Sequence, residues 1–229
     1  MSLNQVKLVA VTSPNPDALI EQFDYGKMTA PNAQDLIAYC ARVSNPSNQG
    51  NLETAEKLLG YCLRKKHWSP FEMVNVVLEI NTSRTIARQI LRHRSFSFQE
   101  FSQRYADPTQ MKFLNSEPRL QDHKNRQNSI HTSDDQLHQW WTDQQQKVID
   151  VCKQTYSTAL EHGIAKEVAR NVLPEGLTPS RMYMNGTLRS WIHFCDVRRG
   201  NDTQKEHREI AEQCWDILVG QFNFLREHR

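Results

Sequence analysis

No stretch of this 229-residue sequence approaches the roughly 18 to 20 uninterrupted apolar residues that a membrane helix needs, so no membrane span is expected. Cysteine is scarce. Cys40, Cys62, Cys152, Cys195 and Cys214 are odd in number, widely spaced and without a CxxC pair, and they read as reduced packing residues of a cytoplasmic protein. None sits in an evident cationic pocket, so a catalytic thiol is not expected. Eight glycines and nine prolines exclude a collagenous or low-complexity chain, and 24% charged residues beside 38% hydrophobic ones exclude wholesale disorder. Residues 1–11 carry no charged region followed by a long apolar run and a small-residue cleavage site, so no secretory signal is expected. Net charge is also small: 28 Lys+Arg against 26 Asp+Glu leave +2, too little for a chain that coats nucleic acid by charge alone.

What is present alternates between strand and helix signals. Residues 6–12 are apolar and β-branched and predict a strand, ended by the loop Ser13-Pro14-Asn15-Pro16. Helices are expected over 32–43 and 52–66, the second stopped by His67-Trp68-Ser69-Pro70. A buried strand is expected over 71–81, then Thr82-Ser83 as a cap for a helix that turns Ile86, Ala87, Ile90 and Leu91 inward. Residues 95–105 alternate enough to be extended, and 106–132 turn polar and should form a long loop or insertion. Ser133-Asp134-Asp135 offers a cap for a long helix to about His162, stopped by Gly163. A short helix over 165–172, a turn at Thr178-Pro179-Ser180, a strand over 181–185 and helices over 188–198 and 203–226 complete the chain. The expectation is one domain over 1–229, α/β in the α+β sense, with a small mixed or antiparallel sheet and helices around it.

The near-zero total hides a concentration. Residues 80–99 hold Arg84, Arg88, Arg92 and Arg94 and no carboxylate, a local charge of +4 that leaves the rest of the chain at −2. On a continuous helix, Arg84, Arg88 and Arg92 fall at i, i+4 and i+8, along one face, where they repel each other. Such a face is either solvated or an anion site, since a guanidinium matches phosphate bidentately. Beyond it, Glu100, Ser102 and Arg104 alternate onto one side of an extended segment, with aromatic residues on the other. An acceptor, a hydroxyl and a cation together suit a polar ligand with a phosphate and a planar ring.

These same residues resemble the signature of the flavin-dependent thymidylate synthases. That signature is an Arg-His-Arg followed by seven residues and a Ser, here Arg92-His93-Arg94 to Ser102, with Glu100, Arg104 and Tyr105 in register. Gln99 stands where many members carry Asn. Three further stretches resemble the family in the same order: His67-Trp68-Ser69-Pro70-Phe71-Glu72, Ala169-Arg170-Asn171-Val172-Leu173-Pro174, and Leu188-Arg189-Ser190-Trp191-Ile192-His193-Phe194 continuing to Arg198.

The resemblance implies a homotetramer that holds flavin adenine dinucleotide (FAD) between subunits. Its FAD residues would be Ser69, Arg92, His93, Arg94 and Glu100, with Thr187, Arg189 and His193 from a neighbouring subunit; His193 replaces an amide found in other members. It implies deoxyuridine monophosphate (dUMP) on Gln89, Arg92, Glu100, Phe101, Ser102, Gln103, Arg104, Arg170 and Arg198. Arg104 and Arg170 suit the phosphate, and Gln89 can bond a pyrimidine edge. Arg198 would activate the uracil by stabilising developing negative charge. NADPH would be the reductant and methylenetetrahydrofolate the carbon donor for making dTMP.

Other readings of single residues are weaker. His67 and His93 lack the partner set and spacing of a zinc site, so no metal is expected. Ser102 has no adjacent base and reads as a donor rather than a nucleophile. Glu206 and His207 read as surface or interface groups. The rival function is a single-stranded nucleic-acid-binding module over 84–105, with Phe96, Phe98, Phe101 and Tyr105 stacking on bases; it leaves Glu100 and the separate matching stretches unexplained.

Overall fold

A computed structural model describes residues 4–15 and 31–228; Met1, the expected turn residue Pro16 and Arg229 lie outside the described residues. The centre is a four-stranded antiparallel sheet in the order β1 (Gln5–Val11), β2 (Asn75–Ser83), β6 (Pro179–Thr187), β3 (Ser97–Glu100). Period-2 burial sets its register. Val76, Leu78, Ile80 and Thr82 of β2 lie opposite Gly186, Met184, Met182 and Ser180 of β6, all buried, so one face carries the core. In β1 the register shifts between Leu8 and Ala10, and the intervening Val9 is exposed.

Helices α1 (Ala33–Ala41), α2 (Ala55–Arg64), α6 (Leu188–Arg198) and α7 (Lys205–Gln221) cover that face. Ile37, Leu59, Trp191, Phe194, Ile210 and Leu218 are fully buried, each contributing about 1.5–3 kcal/mol or more relative to exposure. Trp191 also donates its indole N–H to the Val76 carbonyl at 3.0 Å, which ties α6 to the central strand.

The expected strand over 71–81 begins four residues later. Pro70 sits in the first turn of a 3-10 segment, Ser69–Glu72, which rolls Phe71 into the core before the chain straightens. Strand β6 is longer than the expected 181–185 and takes in Pro179 and Ser180, because β2 pairs with it along its whole length, from Ser83 opposite Pro179 to Asn75 opposite Thr187. The last helix stops at Gln221, and extended Phe222 leads into a second 3-10 segment, Asn223–Glu227, that buries Phe224 and Leu225. Likewise 165–172 divides into α5 (Lys166–Ala169) and a 3-10 turn, Arg170–Val172. The polar stretch 106–132 contains a 3-10 turn (Pro108–Gln110) and a hairpin of β4 (Arg119–Gln121) with β5 (Ser129–His131).

The long helix α4 (Asp135–Glu161) is capped by Asp134, whose carboxylate accepts from the Leu137 N–H at 3.0 Å. It ends at Gly163, whose φ of +79° suits glycine. Its own core is thin: Ile149 and Tyr156 pack with Phe113, Ala169 and Leu173. Gln145 adds paired hydrogen bonds to the backbone of Ser116, which hold the polar stretch against α4.

Candidate active site

The arginine-rich segment starts on α3 (Arg84–Ile90), whose cap is Ser83: its hydroxyl accepts from the Ile86 N–H. Ile86, Ala87 and Ile90 are buried, so Arg84 and Arg88 project from the other side. The helix is too short for the three-arginine face expected from sequence, and Arg92 lies beyond its C-cap, Leu91. The first two arginines are also neutralised from far along the chain. Arg88 Nε donates to both Glu175 oxygens, at 2.6 and 2.9 Å, and Arg84 lies 3.8 Å from Glu175 and 3.9 Å from Glu100. Arg84, Arg88, Gln103, Arg170, Asn171 and Thr178 line a polar cavity of about 220 Å³ there. The Gln103 amide nitrogen is buried in it without a hydrogen-bond partner.

Arg92 and Arg94 behave differently. Both are exposed, and neither side chain makes a hydrogen bond or ion pair among the described residues. Between them His93 turns inward and packs edge-on against Phe194, 4.9 Å between ring centres. Its Nε2 accepts from Arg198 Nε at 2.9 Å. Because a guanidinium only donates, His93 carries its proton on Nδ1. Burial and then the positive charge of Arg198 push its pKa down to about 4, so it is neutral near pH 7. Phe96 closes the turn, packed at 4.8 Å edge-on to Trp191 and against Gly186 so closely that a Cβ there would lie 2.4 Å from the ring. Only glycine admits that approach.

The alternation expected through 105 holds only to Glu100, where β3 ends and the chain turns. The Tyr105 and Ala106 N–H groups both bond the Ser102 carbonyl, and the Ser102 hydroxyl accepts from the Arg104 N–H at 3.3 Å. Glu100, Ser102 and Arg104 therefore do not share a strand face: Glu100 accepts from the Ser180 hydroxyl at 2.6 Å, and Arg104 pairs with Glu167 at 3.3 Å. Phe101 is half-buried, as are Phe96 and Phe98, which pack against the core. Of the four rings the nucleic-acid reading needs, only Tyr105 is exposed, so a row of base-stacking rings is not presented.

A second cavity of about 470 Å³ is lined by Trp68, Glu72, Ser95, Arg189, Ser190, His193 and Asp196. Arg189 and Glu72 form an ion pair across it. Thr187 is the N-cap of α6, its hydroxyl accepting from the Ser190 N–H at 3.2 Å, while Ser69 is exposed and starts the 3-10 turn beside Trp68. Sequence reasoning missed Glu72 as a site residue although it closes the His67 to Glu72 stretch. It missed Glu175 altogether, since nothing local marks a residue 87 positions from Arg88.

Glu206 and His207, expected to be surface or interface groups, are instead enclosed within this chain. His207 is 1% exposed, and the Glu206 side chain is 12% exposed. Arg119 from the hairpin clamps both Glu206 oxygens, at 2.6 and 3.1 Å. Burial opposes the Glu206 charge, but these bonds prevail and keep its carboxyl below the ordinary range. Gln204 Nε2 donates to Glu206 at 2.9 Å, Gln89 Nε2 donates to Gln204 Oε1 at 2.8 Å, and Gln89 Oε1 lies 3.2 Å from His207 Nδ1. Burial first, then Arg198 and His93, pushes the His207 pKa down to about 3. The site residues thus gather in three places: the Arg-lined cavity, the Arg189 and His193 cavity, and the His93, Arg198, His207 and Gln89 cluster. Among the described residues no group of His, Cys, Asp and Glu is arranged to hold a metal ion, and no helix is long and apolar enough to cross a membrane.

Residues 27–222 match the family model described as thymidylate synthase complementing protein. The chain is 48% identical over 216 residues to a probable flavin-dependent thymidylate synthase of Paramecium bursaria Chlorella virus 1, covering 94% of each chain. It is 48% identical over 217 residues to the flavin-dependent thymidylate synthase of Synechocystis sp. (strain ATCC 27184 / PCC 6803 / Kazusa), covering 95% of each. Its fold is similar to that of the UMP/dUMP methylase PolB from Streptomyces cacaoi bound with 5-Br dUMP, with a TM-score of 0.73 over 98% of this chain and 93% of that one, at 24% identity.

Proposed function

The chain belongs to the flavin-dependent thymidylate synthase family of enzymes, and we propose that it converts dUMP to dTMP with methylenetetrahydrofolate as carbon donor, NADPH as reductant and FAD as its flavin. The observation that carries this reading is the turn Arg92-His93-Arg94: two guanidinium groups without partners among the described residues, beside a half-buried, neutral histidine that accepts from Arg198. Exposed arginines without carboxylate partners fit a pyrophosphate, which accepts charge-assisted bonds. The larger cavity offers donors from Ser95, Arg189, Ser190 and His193 and acceptors from Glu72 and Asp196 beside Trp68, a set that fits the polar rim and flat face of an isoalloxazine. FAD would be held there by Arg189 and His193, with Ser69 and Thr187 at its margin, Glu100 on its other side and Arg92, His93 and Arg94 on the flavin and its pyrophosphate. When bound and reduced, the flavin supplies the hydride that completes the methyl group.

The protein's own part is binding and electrostatics. The phosphate of dUMP would enter the polar cavity at Arg170 and Gln103, with Ser102, Arg104 and the backbone at Phe101 and Glu100 beside it. Gln89 and Arg92 would meet the nucleoside. Arg198 would face the uracil imide and stabilise negative charge as the 5 position attacks the one-carbon unit. Its hydrogen-bond partner His93 is neutral, so the guanidinium charge is orientated without being cancelled. In the balanced reaction the carbon passes from the folate to uracil C5, NADPH supplies two electrons, and tetrahydrofolate and NADP⁺ leave.

The functional unit would be one domain over 1–229 assembled as a cytoplasmic homotetramer. The dinucleotide exceeds what a 470 Å³ cavity encloses, and Trp140, Val148 and Val151 of α4 expose apolar surface that a second chain would cover. The test is the visible spectrum of the purified protein followed by dUMP-dependent NADPH oxidation and dTMP formation. Absence of flavin bands even after incubation with FAD overturns the reading.

A further inference from the structure

Glu206 is clamped by Arg119 at two oxygens, so it is a carboxylate and can only accept. That fact propagates through three further side chains. The end of Gln204 that lies 2.9 Å from Glu206 must be its amide nitrogen, which leaves Gln204 Oε1 as the acceptor facing Gln89. The end of Gln89 at 2.8 Å from that oxygen must then be its nitrogen, which turns Gln89 Oε1 toward His207 at 3.2 Å. His207 must answer with a proton on Nδ1, and its Nε2 is left as a buried acceptor with no partner. His207 is fully enclosed and packed against Phe194 and His93, so the ring has no room to swing away.

With one N–H engaged by Gln204 and one lone pair by His207, Gln89 still offers a ligand one N–H and one lone pair, in a fixed order. A uracil imide presents a donor at N3 beside an acceptor at C4; cytosine presents an acceptor at N3 beside a donor at C4. A base whose phosphate is anchored elsewhere can satisfy a fixed amide in only one of these two patterns. A freely rotating amide would accept both.

We propose that His207 is a positioning residue that, together with Gln204, locks the Gln89 carboxamide, and that this lock makes the site select uracil over cytosine. The proposal rests on the reading that Gln89 meets the pyrimidine edge. Arg119 carries the same constraint out to the β4–β5 hairpin, so the hairpin is part of the base-reading device.

The test is calorimetric titration of the purified flavin-loaded protein with dUMP and with dCMP. Wild type should prefer dUMP by roughly ten- to a hundredfold, the range for one bidentate edge contact. His207→Phe keeps an aromatic ring against Phe194 but removes the donor, leaving Gln204 alone to orient the amide, and should cut the preference for dUMP at least about threefold. His207→Asn, whose amide N–H can stand near Nδ1, should restore most of the preference, and the flavin content should be the same in all three proteins. In wild type, nitrogen NMR of His207 should show protonated Nδ1 and bare Nε2; the opposite tautomer overturns the lock whether or not the variants fold. If Gln89→Ala leaves dUMP affinity and preference at wild-type values, the reading of Gln89 itself fails. If Gln89→Ala abolishes the preference while His207→Phe leaves it intact, the lock alone is refuted.

Discussion

Arg84 and Arg88 lie a few residues from Arg92 and Arg94, yet the fold treats the two pairs in opposite ways. The first pair sits on α3 and is met by Glu175 and Glu100. The second follows the helix end, where the chain turns around His93, and stays in solvent without a partner among the described residues. Neutralising a cation within the chain adds little to stability at the surface, but it decides which cations remain free for a ligand. A charge motif that looks uniform in sequence is therefore divided by tertiary structure into a supported half and an available half.

The largest effect is expected where the available half meets the core. Arg198→Ala should keep flavin and fold but lower dTMP formation by about a hundred- to a thousandfold, the cost of removing one preorganised electrostatic group; wild-type turnover would remove Arg198 from the chemistry. Next, Arg92→Ala and Arg94→Ala should each weaken flavin binding by about tenfold or more, the worth of a charge-assisted bond, with the melting temperature of the flavin-free protein unchanged because neither side chain has a partner to lose among the described residues. Equal loss of flavin in Arg88→Ala, whose charge is already engaged, would erase the distinction between the pairs.

Gly186→Ala tests what shapes the second pair's turn. A Cβ would press on Phe96, so a destabilisation of about 1–3 kcal/mol is expected, measured by denaturant unfolding. Acid should act on the same turn. His93 and His207 have folded pKa values lowered to about 4 and about 3, so below the ordinary histidine value the unfolded chain binds protons that the native chain refuses. Stability should therefore fall as pH drops from about 6.5 toward 4 and recover as it rises, with an uptake approaching two protons on unfolding. In His207→Phe that uptake should shrink by about one proton. The smallest effect is predicted at the supported pair: Arg88 and Glu175 are about half exposed, and Glu175→Gln should change stability by about 1 kcal/mol or less.

Much of the architecture was legible locally. The alternation of Val76, Leu78 and Ile80, the Asp134 cap and the Gly163 stop are properties of short windows, and the structure uses each of them. The shortening of the last helix was not, because Phe222 leaves the helix to place Phe224 and Leu225 in a core built from distant elements. Arg92 and Arg94 stood out through the local charge excess, whereas His93, Arg189 and Arg198 became site candidates through the resemblance. Glu72, Glu175 and Gln204 did not, since a lone Glu or Gln carries no signal until something approaches it.

By itself the sequence determined which side chains exist in which local order: the Arg-His-Arg turn, the strand periods and the helix caps. Only the tertiary structure decided which arginines are spoken for, that His207 is buried and that its proton lies on Nδ1. The reason is range. Backbone propensity acts over a few residues, whereas a carboxylate 87 positions away or an amide 118 positions away sets charge and tautomer through space once folding has brought them within about 3 Å.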